Sequence, residues 1–151
     1  MSRRTTPTAP PVSRERRCEL LAAADAAPLI GLAEHCVADG AHVTVLSGPE
    51  VGVVALQVRE PVVGERFHLG EALVTRVEVD VDGSRGWAMR MGTDRVAALA
   101  AAVLDAVVSA GAPLAAEIDR LCDATAAALA DGDEREWADL AATEVCFEEL
   151  D

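Results

Sequence analysis

The densest crowding of reactive side chains in this 151-residue chain lies between Gly64 and Arg76. Arg66, His68, Glu71, Thr75 and Arg76 stand there among glycines, a composition unlike that of a plain loop. Arg66, His68, Glu71 and Arg76 together have the chemistry to bind an anion and move a proton. The same residues fit a glycine-turned corner in which Glu71 holds Arg76, so the stretch reads equally as a site, an interface or a corner. His68, next to Phe67, also reads first as structural, and of the three histidines it is the one to test as a general acid or base. His35 and His42 lack H-x-x-x-H or H-x-H spacing and read as structural.

Other reactive types lack the arrangements their chemistry needs. Glu78, Asp80 and Asp82 alternate along one strand, which marks its wet face more readily than a cation site, and Asp80 is expected to pair across a hairpin with Arg85. Ser47, Ser84 and Ser109 lie in no G-x-S-x-G elbow, and no glycine run has a phosphate-binding pattern. Cys18, Cys36, Cys122 and Cys146 form no C-x-x-C pair, and Cys36 sits on an apolar helical stripe as a buried, inert thiol. The residues therefore predict no catalytic set, no metal and no cofactor bound by this chain.

Positioning these side chains requires an α+β fold. Residues 1–12, with Pro7, Pro10 and Pro11 among Thr, Ser and Arg, read as a disordered arm, and residues 13–151 as one domain. A short helix is expected from Ser13 and another after Pro28, with Leu29, Leu32, Ala33, Cys36 and Val37 on one face and Gly40 at its end. The period then falls to two, giving strands at Val43–Leu46, Val53–Val58, Arg66–Leu69, Ala72–Val81 and Arg85–Met91, with a turn at Ser47–Glu50. Asp82-Gly83 supplies the positive φ values of a type I′ turn, so the last two strands should be antiparallel neighbours. Helical spacing returns with Val96, Leu99, Val103, Leu104 and Val107, then with Leu114, Ile118, Leu121 and Leu129. Asp133 and Glu136 have capping-box spacing for a further helix carrying Trp137, Leu140, Ala141 and Val145. Helices, a meander and helices again predict a mostly antiparallel sheet with N- and C-terminal helices packed on it.

Charge narrows the partners. The formal net charge is -13, and because Met1 to Arg17 is basic, the remainder stands near -17. That field repels phosphate backbones and anionic lipid, so neither nucleic acid nor membrane is an expected partner. No signal-peptide core or membrane-spanning apolar run is evident, and the expected location is cytoplasmic.

The order of short motifs from Pro49 to Val107 resembles the PhnG family, the G subunit of the bacterial carbon-phosphorus lyase core complex. It is carried by Pro49-Glu50-Val51-Gly52, Gly64-Glu65-Arg66-Phe67, Leu69-Gly70-Glu71, Leu73-Val74-Thr75-Arg76, Asp82-Gly83 with Gly86, Gly92 with Asp94, and Leu104-Asp105-Ala106. The chain departs from the family pattern at Glu60-Pro61-Val62-Val63, at Val77 and in its acidic end. The resemblance implies phosphonate catabolism by a multi-subunit assembly with G, H, I, J, K and L proteins. Its G, H, I and L members displace adenine from MgATP with a phosphonate. Catalysis is then associated with the I subunit, radical chemistry with the J subunit, and assembly and activation of the I subunit with the G protein.

Two other readings remain open: an independent small enzyme using Arg66, His68, Glu71 and Arg76, and a homo-oligomeric binding module for a phosphorylated ligand. For a subunit, the docking surface is expected where Arg76 faces Met89 and Glu78 faces Trp87. Trp87 and Met89, with Glu71 and Arg76 beside them, would meet the I subunit or a second copy of the chain, unless the helix bearing Trp137 folds over them.

Overall fold

Turn and cap chemistry divides the chain as expected at most boundaries. The structure, a computed structural model, describes residues 12–141 and Thr143. The rest of the expected arm, Val145 and Cys146 lie outside the described residues. Helices α1 (Arg14–Ala23) and α2 (Ala26–Ala38) precede strands β1 (Val43–Arg59), β2 (Arg66–Val81) and β3 (Ser84–Met91), followed by α3 (Arg95–Ser109) and α4 (Ala115–Ala141). Ser13 Oγ accepts the Arg16 N–H at 3.2 Å and Asp94 Oδ1 accepts the Ala97 N–H at 2.9 Å, so α1 and α3 each start at a side-chain cap. The strands form one antiparallel sheet in the order β1-β2-β3, as an α+β reading requires.

Five expected strands become three. Ser47-Gly48-Pro49-Glu50 has turn chemistry, yet β1 pairs with β2 on both sides of it, so the irregularity is absorbed as bulges between Val45 and Glu50. Arg66–Leu69 likewise joins Ala72–Val81 through Gly70. The last two expected helices are one. Gly132 and the Asp133/Glu136 pair lie inside α4, because a single glycine costs a helix only about 1 kcal/mol and a capping box caps nothing where the chain does not leave the helix.

The Asp82-Gly83 turn forms as predicted, with φ of +50° and +85°, and it sets Arg76 opposite Met89, Glu78 opposite Trp87 and Asp80 opposite Arg85. The ion pair expected at the last position is replaced by a local bond. Asp80 Oδ1 accepts the Gly83 N–H at 2.8 Å, which ties the turn more directly than a flexible arginine would. Gly83→Ala is expected to cost about 1–2 kcal/mol, because a Cβ there strains the left-handed backbone, and urea denaturation measures it.

Packing centres on α3. Its stretch from Ala97 to Val107 is buried on nearly every side, Leu99 excepted, while Val96 at its start is 60% exposed. The expected apolar stripe is therefore an apolar cylinder, since the sheet lies on one side of α3 and the other helices lie around it. Val77, Val79, Val81, Gly86 and Ala88 form the sheet face beneath it, the face predicted from register. Alanine permits the close approach. On α2, Leu29, Ala33 and Cys36 are buried, but Val37 is 49% exposed because the helix touches α3 over a narrower arc than its apolar stripe.

Candidate interaction site

The docking of α1 rests on charge, because only Leu20 and Leu21 give it buried apolar side chains. β3 is an edge strand, so its outward N–H and C=O groups need partners. Asp105, fully buried on α3, accepts the Trp87 N–H at 3.2 Å. Its carboxylate also binds Arg14 Nη2 at 2.7 Å and Arg17 Nη2 at 3.1 Å, while Arg14 Nη2 donates to the Arg85 carbonyl at 3.0 Å. Ser109 Oγ accepts from Arg17 at 3.2 Å and donates to the Asp105 carbonyl at 2.8 Å. Burial alone would push the Asp105 carboxyl up, but bonds from Arg14, the Trp87 N–H and Arg17 outweigh it and hold it below the usual aspartate range. At the other end of α1, Arg90 donates to the Leu21 carbonyl at 2.6 Å and the Ala24 carbonyl at 2.8 Å, a cation at a helix C-terminus. The helix is thus clamped along the β3 edge at both ends.

Motif reading passed over Arg14, Arg17 and Arg90, and met Asp105 only within a family motif. One signal was available: Asp105 is the sole charge between Arg95 and the end of α3, and a lone acid in an apolar helix demands a buried partner.

The residues singled out from sequence are dispersed. Thr75 is fully buried and donates to the Gly92 carbonyl at 2.8 Å, which secures the end of β3. Arg76 pairs with Glu78, not with Glu71, because strand neighbours two apart share a face. Arg66, His68 and Glu71 are exposed on a part of β2 that β3 does not reach. Ten positions separate Arg66 from Arg76 along an extended strand, about 33 Å. The four groups of the acid-base reading thus do not converge. Trp87 and Met89 are half-buried beside α1, where Arg14, Glu15, Cys18, Glu19 and Ala22 line a groove with them. It is α1, and not the helix bearing Trp137, that flanks this face; Trp137 is 73% exposed.

Burial disfavours the thiolate of both buried cysteines. Burial, with Asp119 adding to it, pushes Cys122 up to about 11, and burial also raises Cys36. Among the described residues no group of three or more His, Cys, Asp or Glu side chains is arranged to hold a metal ion. No single helix among them is long and apolar enough to cross a membrane.

Fold and site together define an α+β protein whose buried polar network positions a helix along a sheet edge. A family profile described as phosphonate metabolism protein PhnG matches residues 12–150, and the chain belongs to that family. It is 34% identical over 145 residues to a Rhizobium meliloti (strain 1021) protein, the alpha-D-ribose 1-methylphosphonate 5-triphosphate synthase subunit PhnG. The match covers 95% of this chain and 92% of that protein.

Proposed function

We propose that this chain is a non-catalytic subunit of an alpha-D-ribose 1-methylphosphonate 5-triphosphate synthase, supporting an I subunit that transfers the ribosyl triphosphate of MgATP to an alkylphosphonate. The observation that carries this reading is the 34% identity running through nearly the whole of both chains, which leaves no separate domain to account for the relative's name. The dispersal of Arg66, His68, Glu71 and Arg76 along one strand supports it, since acid-base catalysis needs those groups within hydrogen-bond reach of one substrate. So does charge: a triphosphate meets a chain of net charge -13 unfavourably unless another subunit supplies cations. The complex uses MgATP and this chain holds no cofactor of its own. Its partners are the I subunit and, around it, the H, J, K and L proteins, in the cytoplasm where MgATP is supplied.

Adenine release from MgATP and methylphosphonate tests the reading. The purified chain alone is expected to release none above a blank, and a mixture of the G, H, I and L proteins is expected to lose its activity when this chain is omitted. Release by the chain alone, or full activity without it, overturns the proposal.

A further inference from the structure

The second half of α4 buries almost nothing. The helix packs against α1, α2 and α3, and its buried residues, Ile118, Cys122 and Thr125, all lie in the first half. From Ala127 to Ala141 every residue is exposed except the half-buried Gly132. That segment is about 22 Å of helix, a length that is marginal in water without tertiary support.

Helical spacing shows which face needs covering. Leu129, Trp137 and Leu140 fall within an arc of about 80° that continues the line of the buried Cys122. They are 42%, 73% and 55% exposed. Every other side chain from Ala127 to Ala141 is alanine or charged, Gly132 aside, so no second face of this segment offers a large apolar group. Asp133 lies inside the same arc and Glu136 at its border, so the face is apolar and acidic together.

Charge selects the partner. Five acids, Asp131, Asp133, Glu134, Glu136 and Asp139, stand in this segment against one arginine. Arg135 falls on the opposite side of the helix from Leu140, and its Nε donates to the Asp131 carbonyl at 2.9 Å. Among the described residues no salt bridge takes up any of the five acids. Helix direction adds to the imbalance. The C-terminal end of a helix is its negative pole and favours cations, yet the last turn of α4 holds Asp139 and no basic residue. A second copy laid on the same face would set Asp133 and Glu136 against their own counterparts. We infer that the α4 face bearing Leu129, Trp137 and Leu140 docks in a groove of a partner protein, apolar at its floor and walled by Arg or Lys side chains. The inference rests on the subunit reading above and names the surface through which that subunit binds.

The test uses the full chain and the I subunit. Trp137→Ser is expected to weaken binding by about 30-fold or more, the loss typical of a central interface residue, and Leu140→Ser by about fivefold or more. Both side chains are exposed in the free chain, so its melting temperature should stay where it is. Asp133→Arg combined with Glu136→Arg should weaken binding by about tenfold or more, and rising salt should weaken that of the wild type. Hydrogen exchange should show residues 127–141 poorly protected in the free chain and protected in the wild-type complex, a readout that does not depend on how the variants fold. Failure of the wild-type chain to bind the I subunit would refute the subunit reading itself. Wild-type binding with Trp137→Ser and Leu140→Ser equally tight, or with no added protection of residues 127–141, would overturn the docking surface while leaving that reading intact. Salt-independent binding, or full binding by the charge-reversed variant, would overturn the basic groove. Wild-type self-association in sedimentation that Trp137→Ser abolishes would make a second copy the occupant. Protection already present in the free chain and lost on removing residues 144–151 would make the chain's own end the occupant, and either result overturns the inference.

Discussion

Replacing Asp105 with alanine is expected to lower stability by about 3–5 kcal/mol, the cost of removing one partner from a buried ion pair. The loss falls mainly on two groups. Arg17, whose side chain is 10% exposed, is left without its counter-charge, and the Trp87 N–H is left without an acceptor. Arg14 adds little, since its side chain is 51% exposed and water replaces the carboxylate there. Urea denaturation of the full chain measures the effect, and a loss under about 1 kcal/mol would mean that the clamp contributes nothing net.

The same residue gives a pH signature. The folded state holds Asp105 below its ordinary range, so the unfolded chain takes up this proton first as pH falls. Its contribution is fully present above the unfolded value near 3.9 and disappears as pH drops through the lower folded value. Asp105→Asn should therefore narrow the stability gap between wild type and variant below about pH 4 and leave it constant from pH 5 to 7. A gap that widened on acidification would contradict the arrangement.

Gly86→Ala carries the second large effect. A Cβ at Gly86 would lie 1.9 Å from the Ala102 carbonyl oxygen and 2.8 Å from both the Cβ and the amide nitrogen of Ala106. The obstruction includes the backbone of α3, so no rotamer change relieves it; the helix must lift from the sheet that it covers. Overpacking typically costs about 1–3 kcal/mol, and a backbone obstruction in the central layer belongs at or above the upper end. Gly132→Ala is the internal comparison. It lies within α4 with nothing within 4 Å of the added methyl, so it should stabilise the protein by up to about 1 kcal/mol. Melting curves of the two variants should move in opposite directions, and equal shifts would mean that α3 does not sit this close.

Local chemistry made much of the fold legible. The Asp82-Gly83 pair is a turn wherever two β-rich runs flank it, because its backbone preference needs no distant partner; it fixed the β2-β3 register and hence the face that α3 covers. The caps at Ser13 and Asp94 and the stop at Gly40 are equally local. Where local chemistry competed with long-range pairing, it misled. Ser47–Glu50 remained within a strand because β2 supplied partners on either side, and Gly132 remained within a helix because α4 simply continues through it.

The candidate residues divide along the same line. Trp87, Met89 and Arg76 share a sheet face by alternation alone, which sequence reveals. That α1, and not the helix carrying Trp137, borders this face depends on Asp105, Arg14 and Arg17, residues some ninety positions apart whose bonds form only once α3 has packed on the sheet. Residue types and local spacing are enough for an acidic α+β chain, a type I′ hairpin, a small-residue sheet face and a family-specific run from Gly64 to Arg76. That β3 pairs with this run only from Val74 onward, leaving Arg66 to Leu73 with β1 alone, follows from the packed fold, because where a strand finds a neighbour is a property of the whole sheet.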